Sequence, residues 1–244
     1  MKKLSISLLT LSASFIVWAS STQAQVAYPE SWKTATPNQL VQIAKNKKFD
    51  ESTSILLDQL AIQFAQSASP EHVNLLAHEY FLSTSPTVKT QLSMLARNIS
   101  SPAGLHALEE VLRSTRAKAS PPDDPMLKSA AFALWSSGNR MQLESCAEFF
   151  ITGPSNMRTA FASSLPSSLN PELIPFLSEI VISRTRYAGD PAAVKSAIEL
   201  LGHIQSDRAA TILKTLGQSP DKEESEAATE SLERLRLESS TPLQ

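Results

Sequence analysis

Apolar residues recur at intervals of three and four positions along almost the whole chain. Within residues 190–204, for example, Val194, Ala197, Ile198 and Leu201 fall on one side of a helix. Alternating runs of β-branched residues, which would indicate strands, are nearly absent. The pattern therefore predicts an all-α protein whose short helices each bury one apolar stripe.

Prolines punctuate this pattern from segment to segment. Proline suits the first turn of a helix, because the N–H that it lacks would have no partner there. The Ser, Asp or Asn that usually precedes it can cap the helix, and a glycine just upstream can end the previous helix in a left-handed conformation. The prolines concerned are Pro70, Pro86, Pro102, Pro125, Pro154, Pro171, Pro191 and Pro220, and the glycines are Gly138, Gly153, Gly189 and Gly217.

These signals divide the chain into short helices joined by tight turns. Residues 25–36 are expected to form an irregular lead-in, residues 238–244 a flexible tail, and the Pro-rich segment 117–125 a hinge. The predicted helices cover residues 37–47, 50–66, 70–82, 86–98, 102–117, 125–136, 139–151, 155–165, 171–185, 191–204, 207–217 and 221–237.

From residue 86 onward, every other predicted helix carries the same short pattern. Its first apolar residue is followed by a basic one, and these starts lie 39, 30 and 37 residues apart. Self-similarity at this period indicates a solenoid, in which stacked helix pairs bury faces that one pair cannot bury alone. A further copy near residue 225 lacks the basic residue. The four apolar–basic pairs are Val88-Lys89, Leu127-Lys128, Met157-Arg158 and Val194-Lys195.

At these residues the chain resembles HEAT repeats, over about residues 70–237. "NPELIPFLSEIVIS" is similar to a first HEAT helix with its internal Pro175, and "DPAAVKSAIELLGHI" to a second helix with its Asp-Pro start. The resemblance implies a right-handed α-solenoid of stacked antiparallel helix pairs, about five to six pairs over residues 37–237. Spacing is uneven, Ser164 replaces a large apolar residue, and residues 37–66 match poorly, so the first pair is expected to be an atypical cap.

The N-terminal segment has the layout of a secretory signal. Lys2 and Lys3 precede an apolar stretch, and the small residues Thr22 and Ala24 occupy the −3 and −1 positions of a cleavage site. The stretch is too short and too rich in hydroxyl groups for a typical transmembrane helix. We therefore expect residues 1–24 to be removed after Ala24, and the chain to act in the periplasm or outside the cell without a stable membrane anchor.

Composition and charge argue against several classes of function. The formal net charge is −2, and loss of Lys2 and Lys3 with the signal would make it −4. Nucleic-acid binding calls for a strongly basic domain, so no nucleic-acid partner is expected. His72 and His78 are six positions apart and point in different directions on a helix, which is poor geometry for a metal. No cofactor and no metal site are predicted.

No convincing catalytic constellation emerges either. Cys146 is the only cysteine and lies on an apolar stripe, which predicts a buried, inert thiol. Glu144-Ser145 resembles the pair at the active site of periplasmic lytic transglycosylases, but the Gly-rich stretch expected downstream is missing from "ITGPSNMRTAF". Arg184 and Arg186 are expected to favour a helix C-terminus, and a contact loop is the alternative.

The second helices offer a candidate binding face. On each helix, the basic residue after the first apolar position would start an outward row at i, i+4 and i+8. A column of cations beside aromatic side chains suits an acidic or extended peptide. Alternatively, the basic residues pair structurally with Asp124 or Asp190, and the aromatic residues pack between repeats. The candidate partner-binding residues are Lys89, Arg97, Lys128, Phe132, Trp135, Arg158, Lys195 and His203.

These features favour a non-catalytic scaffold or adaptor, secreted or periplasmic, that binds a protein or peptide partner on the concave face of the solenoid. The prediction rests on analogy of fold and on the lack of recognisable chemistry. Two alternatives stay open at this point. One is a cell-envelope enzyme or enzyme accessory that resembles a lytic transglycosylase and depends on Glu144, and the other is a carrier of an apolar ligand between helix layers.

The first testable prediction concerns the cleavage site. Because small residues stand at Thr22 and Ala24, the exported protein should begin at Gln25. N-terminal sequencing or the intact mass of the exported species measures this directly. An exported species that still carries Met1 would contradict the prediction.

Overall fold

The computed structural model describes residues 36–46, 61–62, 64–65, 67–137, 139–187 and 189–240, and none of these forms a strand. A 3-10 turn, Pro171–Leu173, leads directly into the helix that begins at Ile174. In chain order the helices are α1 (Pro37–Asn46), α2 (Pro70–Leu82), α3 (Pro86–Arg97), α4 (Pro102–Arg113), α5 (Thr115–Lys118), α6 (Pro125–Ser136), α7 (Arg140–Thr152), α8 (Ser155–Ser163), α9 (Ile174–Val181), α10 (Pro191–Leu201), α11 (Asp207–Leu216) and α12 (Lys222–Ser240).

The predicted helices agree closely with this order, and the differences are local. The prediction of one helix over 102–117 is wrong, because Ser114 adopts an extended conformation and caps the separate helix α5. The helix predicted over 171–185 ends at Val181. Most of the predicted helix 50–66, together with the signal segment and the lead-in 25–35, lies outside the described residues.

Proline-led helix starts are confirmed at six positions. There a Ser, Asp or Asn takes the cap position and proline the first turn, for example Ser101 before Pro102 and Asp190 before Pro191. Pro154 is different, because it occupies the cap position of α8 itself. The capped prolines are Pro70, Pro86, Pro102, Pro125, Pro171 and Pro191.

The prediction that glycines end helices in a left-handed conformation is mostly wrong. Gly153 and Gly217 end α7 and α11 with φ values of −64° and −62°. Among the described glycines, Gly189 alone has a positive φ, +82°, and it stands before a helix rather than after one. Gly138 lies outside the described residues. Gly202 has another role, since a Cβ there would lie 2.8 Å from the Cβ of Ser231, so it permits α10 and α12 to approach closely.

The helices form an all-α solenoid of stacked antiparallel pairs. The first helices of the pairs are α2, α4, α7, α9 and α11, and the second helices are α3, α6, α8, α10 and α12. Each first helix packs on its own second helix. Neighbouring pairs then stack, with α3 against α6, α6 against α8, and α10 against α12. One core cluster of buried apolar residues runs through the described part of the stack.

The stack is irregular between its third and fourth pairs. There the second helix α10 packs on its own neighbours α9 and α12 and also on α7, which is a first helix. The short helix α8 ends at Ser163, and the connection that follows reaches α10, where the Leu169 N–H donates to the carbonyl of His203 at 2.7 Å. The regular succession of second helices is therefore clearest from α3 to α8.

A buried hydrogen bond joins α2 to the beginning of α6. The hydroxyl of Tyr80, a fully buried residue, donates to Oδ1 of Asp124 at 2.9 Å. The same Oδ1 accepts the N–H groups of Met126 at 2.9 Å and Leu127 at 3.2 Å, so it also caps α6. Burial, and then the neighbouring charge of Asp124, raise the pKa of Tyr80 well above its ordinary value of 10.0.

The predicted hinge at 117–125 is bonded on both sides. Asn156, at the start of α8, donates its amide to the carbonyls of Ala117 at 3.0 Å and Ser120 at 2.8 Å. At the other end of the segment, Asp124 is held by Tyr80. A hinge motion here stays a prediction, and it would have to break these contacts.

Replacing Tyr80 with Phe tests the bond between α2 and α6. The change should lower the free energy of unfolding by about 1–3 kcal/mol at neutral pH, because a buried carboxylate loses a donor. Denaturant unfolding of the two proteins measures the difference.

The raised pKa of Tyr80 predicts how the stability difference between wild type and Tyr80→Phe changes with pH. Because the folded pKa of Tyr80 is raised, its contribution is present below pH 10 and is lost as the pH rises above 10.0. The stability gap between wild type and Tyr80→Phe should therefore narrow in alkaline solution. Equal stability of the two proteins at neutral pH would show that the bond contributes nothing.

Candidate binding surface on the second helices

The predicted partner-binding residues are distributed over four second helices. Lys89 and Arg97 lie on α3, Arg158 on α8 and Lys195 on α10, while His203 follows the end of α10. The remaining three, Lys128, Phe132 and Trp135, lie on α6. Since α3, α6 and α8 are consecutive neighbours, the residues on these three helices belong to one stretch of the stack.

Arg97 and Phe132 connect two neighbouring repeats directly. The guanidinium carbon of Arg97 lies 4.1 Å from the centre of the Phe132 ring, which is within the range of a cation–π contact. Arg97 is exposed and Phe132 is half-buried. The pair thus presents a positive charge above an aromatic surface at the junction of α3 and α6. We call Lys89, Arg97, Lys128, Phe132 and Arg158 the basic surface.

The other cations of the basic surface differ in their surroundings. Lys89 is half-buried, and its Nζ lies 5.0 Å from the centre of the Tyr80 ring. Within the described residues, Lys128 and Arg158 have no carboxylate within ion-pair distance. Asp124 and Asp190, the alternative structural partners, instead accept backbone N–H groups at the starts of α6 and α10.

Charge is segregated between the two layers of helices in this part of the stack. The second helices α3, α6 and α8 contain no acidic residue. The first helices α2, α4 and α7 contain two cations, Arg113 and Arg140, each within 2.8 Å of a glutamate oxygen on its own helix. The acidic residues of those first helices are Glu71, Glu79, Glu109, Glu110, Glu144 and Glu148.

Trp135 is placed differently from the prediction. It is 3% exposed, so its ring is part of the core and not of the binding face. Its Nε1–H donates to the carbonyl of Phe161 at 3.2 Å, and the two rings meet edge to face at 6.1 Å. A large indole between α6 and α8 removes apolar area from water and still satisfies its N–H. Ser93, in the predicted outward row of α3, is buried as well.

Lys195 and His203 form a separate part of the predicted column. Lys195 is exposed on α10, whose main neighbours are α7, α9 and α12 rather than α8. His203 faces α12, and its Nε2 lies 3.0 Å from Nη1 of Arg234. Because a guanidinium can only donate, Nε2 accepts from Arg234 in this arrangement. The packing therefore does not place Lys89 and Lys195 in one continuous column.

The segment 183–190 contains the feature that sequence reasoning missed. Arg184 and Tyr187 have φ values of 54° and 53°, a left-handed conformation that is costly for residues with a side chain. Arg184 pairs with Glu224 at 2.7 Å, and the hydroxyl of Tyr187 donates to Glu148 at 3.2 Å. The prediction that these arginines complement a helix C-terminus did not foresee such long-range contacts. No glycine marks either strained position.

The residues considered for chemistry have structural partners. Glu144 accepts from Arg140 at 2.8 Å, and Ser145 donates to Glu109 at 2.9 Å. Cys146 is fully buried, and burial, with Glu109 adding to it, raises the pKa of the Cys146 thiol. In the described part of the chain, no cluster of three His, Cys, Asp or Glu residues could hold a metal, and no helix is long and apolar enough to cross a bilayer.

Comparisons with known proteins concern the fold. No protein-family model and no curated protein matches the chain. Among solved structures, the chain is similar to an engineered protein, with 19% identity over 83% of this chain and 89% of that one, and a TM-score of 0.34. It is also similar to the designed armadillo repeat protein YIII(Dq)4CqI, with 17% identity over 82% of this chain and 100% of that one, and a TM-score of 0.30. At these scores neither likeness carries an argument about function.

Proposed function

We propose that this chain is a non-catalytic, HEAT-like scaffold that binds an acidic segment of a protein partner on its basic surface. One observation carries the proposal. Three neighbouring second helices present cations without a single acidic residue among them, while the glutamates of this part of the stack lie on the first helices. A solenoid gives such a surface length, because each repeat adds one more helix to the same row.

The chemistry of the surface supports an acidic partner with some apolar character. Lys128 and Arg158 have no carboxylate partner among the described residues, so docking need not break an existing ion pair on either. Exposed cations accelerate the encounter with an acidic partner, and this attraction weakens as the salt concentration rises. The ring of Phe132, beneath Arg97, adds area that can be removed from water.

The compartment forms a separate part of the proposal. The signal layout of residues 1–24 supports a periplasmic or secreted scaffold, and it rests on the sequence alone. Binding at the basic surface does not depend on the compartment, because it uses helices far along the chain. N-terminal sequencing and the binding experiment below can therefore succeed or fail independently.

A double charge reversal tests the basic surface. Lys128→Glu with Arg158→Glu should weaken binding of a fluorescent acidic peptide, such as oligoglutamate, by about tenfold or more at low salt, because attraction becomes repulsion. The matched control is Arg208→Glu with Lys214→Glu, which makes the same charge change at two exposed positions of α11. Fluorescence anisotropy measures affinity, and thermal melting tests whether each variant folds.

Each outcome has a distinct meaning. Weaker binding by the Lys128/Arg158 variant, with an unchanged melting temperature and normal binding by the control, supports the proposal. Equal weakening by both variants would show attraction to net charge alone and would overturn it. A large fall in melting temperature of the Lys128/Arg158 variant would show the cations to be structural. In-cell photo-crosslinking from position 128, followed by mass spectrometry, then identifies the natural partner.

A further inference from the structure

The outer face of α12 carries an acidic row that no other described element covers. On α12, the residues Glu226, Glu230 and Glu233 are exposed and follow one another at intervals of four and three positions. This spacing places them on one face of a helix. Leu237, four positions further on the same face, is 69% exposed. The opposite face of α12 packs on α10 and α11.

The acidic row has little compensation from cations. Lys222 lies 3.5 Å from Glu226, and both side chains are largely exposed, so this pair is weak. Within the described residues, Glu230 and Glu233 have no cation within ion-pair distance. A polar outer face is what the end of a solenoid requires for solubility. Solubility alone does not require that the exposed row carry a single sign of charge.

The acidic row and the basic surface match in charge and in length. From Glu226 to Leu237 the row extends about 16 Å along the helix. The basic surface crosses α3, α6 and α8, which at ordinary helix spacing is about 16–20 Å. Each has an apolar member, Leu237 on one and Phe132 on the other. The two surfaces lie on different elements of the chain, since α12 packs on α10 and α11.

We infer that the acidic face of α12 in one copy of this chain docks on the basic surface of a second copy. This inference rests on the proposed function of the basic surface and names its partner. The contact joins two different surfaces, so it is heterologous, and each copy keeps one free surface for a further copy. Assembly therefore proceeds head to tail, and it strengthens as the ionic strength falls, because exposed charges are screened over about 10 Å at about 0.1 M salt.

A charge-swap experiment on the full chain tests this assembly. The first variant is Lys128→Glu with Arg158→Glu, and the second is Glu230→Arg with Glu233→Arg. Each variant alone should associate about tenfold or more weakly than wild type, because like charges then meet. An equimolar mixture should associate again, since the reversed surface of one variant matches the reversed α12 of the other. Sedimentation velocity at low and high salt measures the mass distribution.

The controls separate this inference from the proposed function. Arg208→Glu with Lys214→Glu should associate as wild type does, and all variants should melt at similar temperatures. Wild type that stays monomeric at low salt overturns the inference, and association that neither reversal changes overturns it as well. In either case, binding of oligoglutamate that is lost on reversal of Lys128 and Arg158 keeps the proposed function and leaves a different acidic partner for the basic surface.

Discussion

The buried carboxylate of Asp124 is the constraint on which the middle of the stack depends. A carboxylate removed from water needs compensating donors, and here one oxygen receives three, from Tyr80 and from the N–H groups of Met126 and Leu127. The last two bonds start α6, and the first ties that start to α2. Helix α6 is in turn packed by α3, α4, α7 and α8. The position of α6, which carries the half-buried Lys128 and Phe132, thus depends in part on one polar contact in the core.

The separation of charge between the layers has a simple physical consequence. On the first helices, glutamates have nearby cations: Arg113 lies 2.8 Å from Glu109, and Arg140 lies 2.8 Å from Glu144. The cations of these pairs are exposed, so the pairs contribute little to stability. They nevertheless neutralise part of the negative charge of the first helices. On α3, α6 and α8 no acid is present to do the same. The positive excess therefore lies on the second helices, whereas the first helices, with six glutamates and two arginines, keep a negative excess.

The strained segment 183–190 shows how tertiary contacts can override local preference. Arg184 and Tyr187 adopt positive φ values that neither residue favours in isolation. The contacts of Arg184 with Glu224 and of Tyr187 with Glu148 bring α12 and α7 to the same connection. Such contacts offset the local cost only when the surrounding helices are already in place. The segment therefore joins three consecutive repeats through contacts 40 and 39 residues apart in the sequence.

Local signals determined most of the fold. Apolar spacing and capped prolines located helices such as Pro70–Leu82 and Pro125–Ser136 to the residue, because periodicity and capping depend on neighbours within one or two turns. The same signals located Lys128 and Arg158 on second helices. They could not show which large side chain would remain outside. Phe132 and Trp135 are three positions apart on one helix, yet one lies under Arg97 and the other in the core.

The tertiary structure decided what depends on packing across repeats. Asp124 pairs with Tyr80, 44 residues earlier, rather than with a neighbouring cation, and no periodic pattern in the sequence indicates such a contact. The shift of α10 onto α7 likewise follows from the short α8 and the connection that bonds to His203, and it separates Lys195 from the basic surface. Periodicity indicates which face of a helix is buried. Which other helix covers that face depends on how all the helices pack into one core.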